Sequence, residues 1–282
     1  MTKKLKVAFQ GELGAYSHLA CLKIFSNVDI KACRTFAEVF NLASENSEYR
    51  IVIPITNSST GSVADMNYLI PQFKLQIHAE YFEKVSHNLL GIMGSEMKDI
   101  KTVRSHAQAL GQSQKFISDN KLTSIIAADT AGSAKYISEK KDTSEGAIAS
   151  DLAAKIYNLD ILKTNVEDET GNFTRFLIMN RDSKHPELKD KKYITSCIFK
   201  LKSVPASLYK ALGSFATRGI NLCKLESFAV KNTFEQVNFY IDIEGHIEDS
   251  LIKDALNELS FHSATFDILG VYEAHKFRSR NK

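Results

Sequence analysis

The stretch Phe173–Leu201, FTRFLIMNRDSKHPELKDKKYITSCIFKL, decides how the chain is organised. Its two ends, Phe173–Met179 and Tyr193–Leu201, are rich in β-branched and aromatic residues and read as strands. Between them residues 181–192, RDSKHPELKDKK, are polar and charged and hold one of only four prolines. A run of this kind has no apolar face to bury, so it reads as a linker between two self-contained patterns, with residues 1–180 separable from residues 193–282.

Downstream, Ser203 and Pro205 open a helix whose Leu208, Ala211, Leu212 and Phe215 recur at i, i+3, i+4 and i+7, and Arg218–Gly219 closes it. Leu222–Val230 and Glu235–Glu244 read as a hairpin. In its second strand Val237, Phe239, Ile241 and Ile243 alternate with Gln236, Asn238, Tyr240 and Asp242. A helix over Glu248–Leu259 and a strand over Thr265–Tyr272 complete a βαββαβ order. This is the ferredoxin-like split βαβ unit, with one sheet face for its helices and the other for a partner or ligand.

Upstream, short strands alternate with helices. Leu5–Gln10 precedes helical spacing over Gly14–Phe25, Arg50–Ile55 precedes the polar turn Thr56–Gly61, and Ser124–Ala128 precedes a helix over Thr130–Ile137. Ser150–Tyr157 is a helix with Ser150 or Asp151 as N-cap and Leu152, Ala153, Ile156 and Tyr157 on one face. The alternation predicts an α/β sheet built with crossovers.

At 282 residues the chain is long enough for two domains with real cores. Lys and Arg number 36 against 33 Asp and Glu, interspersed, so the charge favours neither nucleic acid nor a membrane surface. No stretch approaches ~20 apolar residues, so none reads as a membrane span. The opening MTKKLKVAFQGELG breaks its apolar run at Gln10 and reads as a strand rather than an export signal. Cys21, Cys33, Cys197 and Cys223 form no CxxC pair. They are expected as reduced, mostly buried thiols of a cytoplasmic protein, with no disulfide and no metal.

The phosphate-loop, dinucleotide, zinc-protease and serine-hydrolase signatures are all absent from the sequence. What stands out is a set of hydroxyl and amide clusters where strands end: Asn57–Gly61, Ser105–Leu110, Asp129–Gly132 and Asn172–Phe176. Loops at the carboxyl ends of strands build the cleft in α/β sheets, and helix N-termini there offer free N–H groups to anions. Such loops together suit a small, carboxylate-rich molecule. Taken singly, each residue also suits an Asx-turn, an N-cap or a strand interior.

Five segments in order resemble the prephenate dehydratase family. Gly14-Ala15-Tyr16-Ser17 matches GT(Y/F)S, Ile53-Pro54-Ile55-Thr56-Asn57-Ser58 matches VPxENS, and Ser105-His106-Ala107-Gln108-Ala109-Leu110 matches SHPQAL. Asp129-Thr130-Ala131 and Asn172-Phe173-Thr174-Arg175-Phe176 match the (S/D)TA and NxTRF segments. Thr56 stands for a glutamate and Ala107 for a proline; both leave the neighbouring polar residues intact.

The resemblance implies a two-lobed catalytic domain like the periplasmic binding proteins over 1–180, one lobe being about 1–80 plus 165–180 and the other 81–164. It implies a linker over 181–192, a ferredoxin-like ACT regulatory domain over 193–275 and a basic tail over 276–282. The implied reaction is the decarboxylating dehydration of prephenate to phenylpyruvate in phenylalanine biosynthesis, without cofactor. Arogenate dehydration is the alternative, and a solute-binding protein or amino-acid sensor on the same scaffold is the reading from another class.

By the same resemblance Thr174 is the catalytic residue, donating a hydrogen bond to the leaving oxygen. Arg175, Asn57, Ser58, Ser105, Gln108, Thr130, Ala131 and Asn172 are the implied substrate shell. Arg175 serves either as a bidentate carboxylate clamp or as an ion-pair partner. His106 is expected behind the substrate, and Phe173 and Phe176 in the core. Ala206, Ser207 and Leu208, with Glu226, Ser227, Phe228 and Ala229, resemble the two loops that bind phenylalanine between paired ACT domains. The second lacks the arginine and proline of the family's ESRP, and Ala206 replaces a glycine. A homodimer or homotetramer is implied.

Overall fold

The structure, a computed structural model, describes residues 4–182, 184–230 and 236–280. Residues 1–3 of the opening segment, Ser183 of the linker, Glu235 of the expected hairpin and residues 281–282 of the expected tail lie outside the described residues. The strands are β1 (Leu5–Gln10), β2 (Val28–Cys33), β3 (Tyr49–Asn57), β4 (Gly61–Ser62), β5 (Gln76–Lys84), β6 (Asn88–Ile92), β7 (Thr102–His106), β8 (Thr123–Ala127), β9 (Glu145–Ala149), β10 (Leu159–Lys163), β11 (Phe173–Asn180), β12 (Tyr193–Leu201), β13 (Leu222–Ala229), β14 (Val237–Glu244) and β15 (Ser263–Glu273). The helices are α1 (Tyr16–Ile24), α2 (Phe36–Glu45), α3 (Ala64–Leu69), α4 (Ala107–Gly111), α5 (Gln114–Asp119), α6 (Thr130–Lys140), α7 (Asp151–Tyr157), α8 (Ser207–Ala216), α9 (Ser250–His262) and α10 (Phe277–Arg280). The chain forms two compact units. One gathers Met1–Val39, Glu48–Val63 and Tyr81–Phe176, the other Phe40–Ser47, Ala64–Glu80 and Leu177–Lys282.

The first sheet has the order β2-β1-β3-β11-β5, with β4 paired to β3, and β1 runs parallel to both β2 and β3. β11 enters this sheet only after the whole second sheet has been built. A returning strand inserted in this way is the plan of the two-lobed periplasmic-binding-protein fold. Thr56 and Asn57, expected in the turn, are the last residues of β3, and Gly61–Ser62 folds back to pair with them.

The second sheet has the order β10-β6-β9-β7-β8. Its strands alternate between two cores, as the two-residue pleat requires. Leu89, Val103 and Ile148 pack with Ala109, Leu110 and Ile117 of α4 and α5, while Leu90, Ala147 and Ala149 pack with Ala134, Ile137, Ala153 and Ala154 of α6 and α7. Ser150 is the N-cap of α7, its Oγ accepting from the Ala153 N–H at 3.0 Å. The expected apolar face of α7 shifts by a residue: Ala153 and Ala154 are buried and Ile156 is exposed.

The third sheet is antiparallel, in the order β13-β14-β12-β15, and with α8 and α9 it gives the expected βαββαβ unit. Cys197, Phe199, Phe239, Ile241 and Ile243 form a core with Ala211, Phe215, Ile252 and Leu256 of the helices. α8 starts at Ser207 rather than at Ser203, because Ala206 before it takes a left-handed backbone with φ 61°. α9 starts at Ser250, capped by Asp249, whose carboxylate accepts from the Leu251 and Ile252 N–H groups.

The other face of this sheet departs from the expectation that it is left for a partner or ligand. Tyr240 and Asp242 are buried. The Ser196 Oγ donates to Asp242 Oδ1 at 2.5 Å and lies 2.8 Å from Tyr272 Oη. Gly270, which pairs with Ser196, lies against the Ile77 backbone, where any Cβ would collide with the Ile77 carbonyl oxygen. Arg278 forks onto Glu80 with bonds of 2.6 and 2.9 Å. The second unit thus uses its own 64–80 segment and α10 beside that face. Cys21, Cys33 and Cys197 are buried thiols, and burial pushes the Cys21 thiol up to about 12, far from thiolate reactivity.

Candidate active site

The site residues Asn57, Asn172 and Thr174 meet where β3 ends and β11 begins, inside the first unit. Asn57 sits at the carboxyl end of β3, where its Oδ1 accepts from the Ser59 N–H at 3.0 Å and the Thr60 N–H at 3.1 Å, an Asx-turn. A backbone N–H can only donate, so these two bonds fix which way the Asn57 amide faces. Its Nδ2 then donates to Asn172 Oδ1 at 2.6 Å and to Thr174 Oγ1 at 3.0 Å. Thr174 therefore accepts from Asn57 and keeps its own hydroxyl proton for another acceptor. Asn172 is buried, and its Nδ2 donates onward to Gln112 Oε1 at 3.1 Å, at the end of α4.

Ser58 joins this cluster through the backbone. Its N–H donates to the Phe173 carbonyl at 2.8 Å, its Oγ accepts from the Phe173 N–H at 2.9 Å and donates to the Gly171 carbonyl at 3.3 Å. The hydroxyl thereby ties β3 to the start of β11. Arg175 alternates with Thr174 along the strand and is buried, as is Phe176, while Phe173 is half-buried.

The remaining expected residues lie at one edge of the second sheet. β7 and β8 run parallel with Ser105 opposite Ile126 and His106 opposite Ala127, so α4 and α6 leave from neighbouring strand ends. Ser105 is fully buried and donates its hydroxyl to the Ile148 carbonyl at 2.6 Å. His106 caps α4 by accepting the Gln108 N–H at 3.3 Å, and Gln108 is exposed. Thr130 opens α6 behind Asp129, whose carboxylate accepts the Gly132 N–H at 2.6 Å, and Ala131 is buried. No bond is found between these four positions and the Asn57–Asn172–Thr174 cluster among the described residues.

Three further residues complete the cluster and were not singled out by sequence reasoning: Tyr16, His87 and Gln112. His87 Nε2 lies 3.0 Å from Gln112 Oε1, and His87 Nδ1 lies 3.0 Å from Tyr16 Oη. Burial holds His87 below the usual histidine value and pushes the Tyr16 phenol well up, so neither carries charge near neutrality. Tyr16 is visible in the sequence as part of the Gly14–Ser17 motif. Gly14 there has φ +95° and packs so tightly that a Cβ would lie 2.8 Å from Ala153 Cα. Among the described residues no group of His, Cys, Asp or Glu could hold a metal ion. A cavity of about 300 Å³ in the second unit, bordered by Lys191, His246 and Arg278, contains none of these site residues.

Comparison with known proteins bears on the same segments. The family model described as prephenate dehydratase matches residues 7–184. A bifunctional N-acyl-homoserine lactone acylase/prephenate dehydratase of Komagataeibacter europaeus is 38% identical over 97% of this chain and 98% of its own. The arogenate dehydratase/prephenate dehydratase 1 of Arabidopsis thaliana is 38% identical over 95% of this chain and 72% of its own. A prephenate dehydratase of Arthrobacter aurescens, solved in complex with L-Phe, superposes with a TM-score of 0.88 at 26% identity, covering 95% of this chain and 90% of that one.

Proposed function

We propose, from the premise that this chain belongs to the prephenate dehydratase family and is a dehydratase of the lyase class, that it converts prephenate to phenylpyruvate, carbon dioxide and water. Prephenate carries two carboxylates and a ring hydroxyl. As the bond to the ring carboxylate breaks and carbon dioxide leaves, its electron pair passes through the ring and expels the hydroxyl, and the ring becomes aromatic. The driving force lies in the substrate. The protein has to hold the dianion in one geometry and help the hydroxide depart.

The observation that carries this reading is the direction of the Asn57–Thr174 bond. Because Asn57 donates and Thr174 accepts, the Thr174 proton is free for the departing oxygen. Proton-transfer help of this kind is worth ~10²–10⁴-fold. Thr174→Ala is expected to lower kcat by at least ~10²-fold with KM little changed. Following phenylpyruvate absorbance for the wild type and the variant checks it, and a variant retaining about a third of wild-type kcat refutes the role. Measuring carbon dioxide release from arogenate, whose dehydration yields phenylalanine and not the keto acid, separates the second reading, which the double name of the Arabidopsis relative favours. Adding phenylalanine to both tests control.

For that control we read residues 193–275 as an ACT regulatory domain after a linker at 181–192, with phenylalanine as effector. The support is the βαββαβ sheet and the L-Phe complex of the Arthrobacter relative. Ala206–Leu208 opens α8, and Glu226–Ala229 lies in the edge strand β13. Glu226 is held by Lys224 at 2.7 Å and by the Asn67 amide at 3.1 Å. The edge of β13 and the exposed Tyr209 of α8 suit a second copy of the chain, consistent with a homodimer or homotetramer. Among the described residues no helix is long and apolar enough to cross a membrane.

A further inference from the structure

We propose that His87 is a positioning residue for the dehydration: its Nε2–H pins Gln112 Oε1 and, through Asn172 and Asn57, fixes where the Thr174 hydroxyl proton points. This rests on the role assigned to Thr174 above. The five side chains form one continuous chain of hydrogen bonds, and its sense can be followed from an end that has no choice.

That end is the Asx-turn. The Ser59 and Thr60 N–H groups oblige Asn57 Oδ1 to accept, so Asn57 Nδ2 donates both of its protons, to Asn172 Oδ1 and to Thr174 Oγ1. Asn172 must therefore present its own Nδ2 to Gln112, whose Oε1 accepts at 3.1 Å. The same oxygen is 3.0 Å from His87 Nε2, and an amide oxygen only accepts, so His87 must carry a proton on Nε2. A ring with its lone pair there would face Gln112 Oε1 with like charge and favour turning that amide. Turning it would set Gln112 Nε2 against Asn172 Nδ2, donor against donor.

His87 is built to hold this ring still. It is 2% exposed. Its N–H donates to Glu167 Oε2 at 2.9 Å and its carbonyl accepts the Val166 N–H at 2.8 Å. Close by in the chain, Asp168 donates its N–H to the Gln112 carbonyl at 2.7 Å, so one short segment braces both partners. On the far side Tyr16 stands edge-on, its one phenol proton shared between the Ser86 carbonyl at 2.6 Å and the His87 Nδ1 lone pair at 3.0 Å. The phenol blocks any turn of the ring. His106 of the expected site has no such surroundings, being a half-buried helix cap.

Asparagine at position 87 would keep only the Nδ1 end of the ring, whereas glutamine would place an amide N–H near Nε2. With prephenate as substrate, His87→Asn is expected to lower kcat by about tenfold or more while KM stays within about threefold, and His87→Gln to keep kcat within about threefold. In a Thr174→Ala background His87→Asn should change the residual kcat by less than about twofold, because the group it positions is gone. A purely structural role would subtract equally in both backgrounds. Nitrogen-15 NMR of histidine-labelled wild-type protein should show the His87 proton on Nε2. Finding it on Nδ1 alone overturns the proposal whatever the kinetics. So does wild-type kcat in a folded His87→Asn, or, should that variant not fold, a loss beyond about tenfold in His87→Gln. An active wild type with an inactive Thr174→Ala and an unaffected His87→Asn refutes the His87 role alone. A wild type that does not turn over prephenate refutes both.

Discussion

Ala206 holds a left-handed backbone at φ 61° immediately before α8. For a residue with a Cβ that conformation costs about 1–2 kcal/mol. Glycine would remove the cost and lose about 0.4–1 kcal/mol through the greater freedom of its unfolded chain. Ala206→Gly is therefore expected to stabilise the protein, raising Tm by about 1–3 °C for a chain of this size. A thermal melt checks it, and a lower Tm would show that the strain is absent. Hydroxyls are instructive at the same scale. Thr174, Ser58 and Ser105 look alike in a motif, yet Ser58 and Ser105 donate to backbone carbonyls and the Thr174 proton is left over.

Among the elements, α1 depends on a neutral histidine. The Gly14 N–H donates to His18 Nδ1 at 3.0 Å, and the His18 ring stacks on Phe9 of β1 at 5.4 Å. Burial holds both His18 and His87 below the usual histidine value. In the window between those lowered values and about 6.5, the unfolded chain binds more protons than the folded one. Stability is accordingly full above about pH 6.5 and is lost as pH falls below it. Urea midpoints at descending pH should drop through this window, and the drop should be shallower in His18→Gln. A flat profile in the wild type would mean that neither ring resists protonation.

The second unit is held as a whole by an ion pair between distant parts of the chain. Glu80 at the middle of β5 has a fully buried side chain, and Arg278 of α10 binds both of its oxygens. Removing one partner of a buried pair leaves an uncompensated charge and costs about 3–5 kcal/mol. Arg278→Ala should lower the urea midpoint accordingly, with Glu80→Gln in the same chain recovering part of the loss. If Arg278→Ala melts like the wild type, the pair is not structural. By the same reasoning a cut at residues 181–192 takes Arg278 away from Glu80 and Gly270 away from Ile77. A shortened chain is then a poorer fold than the polar linker suggests.

The sequence by itself determined the alternation of strands and helices, the βαββαβ order after residue 192, the Ser150 cap and the motif residues around Asn57 and Thr174. Those signals are local: a two-residue or 3.6-residue period and a cap a few positions from its helix. Only the tertiary structure decided which polar groups meet. Gln112 lies 25 residues from His87 and 60 from Asn172, and Asn57 lies 117 from Thr174. It likewise decided that Tyr240 and Asp242, polar partners in a clean alternation, are buried beside the chain's own 64–80 segment. A period tells which residues share a face; what covers that face, and which donor finds which acceptor across it, is set by packing between segments far apart in the chain.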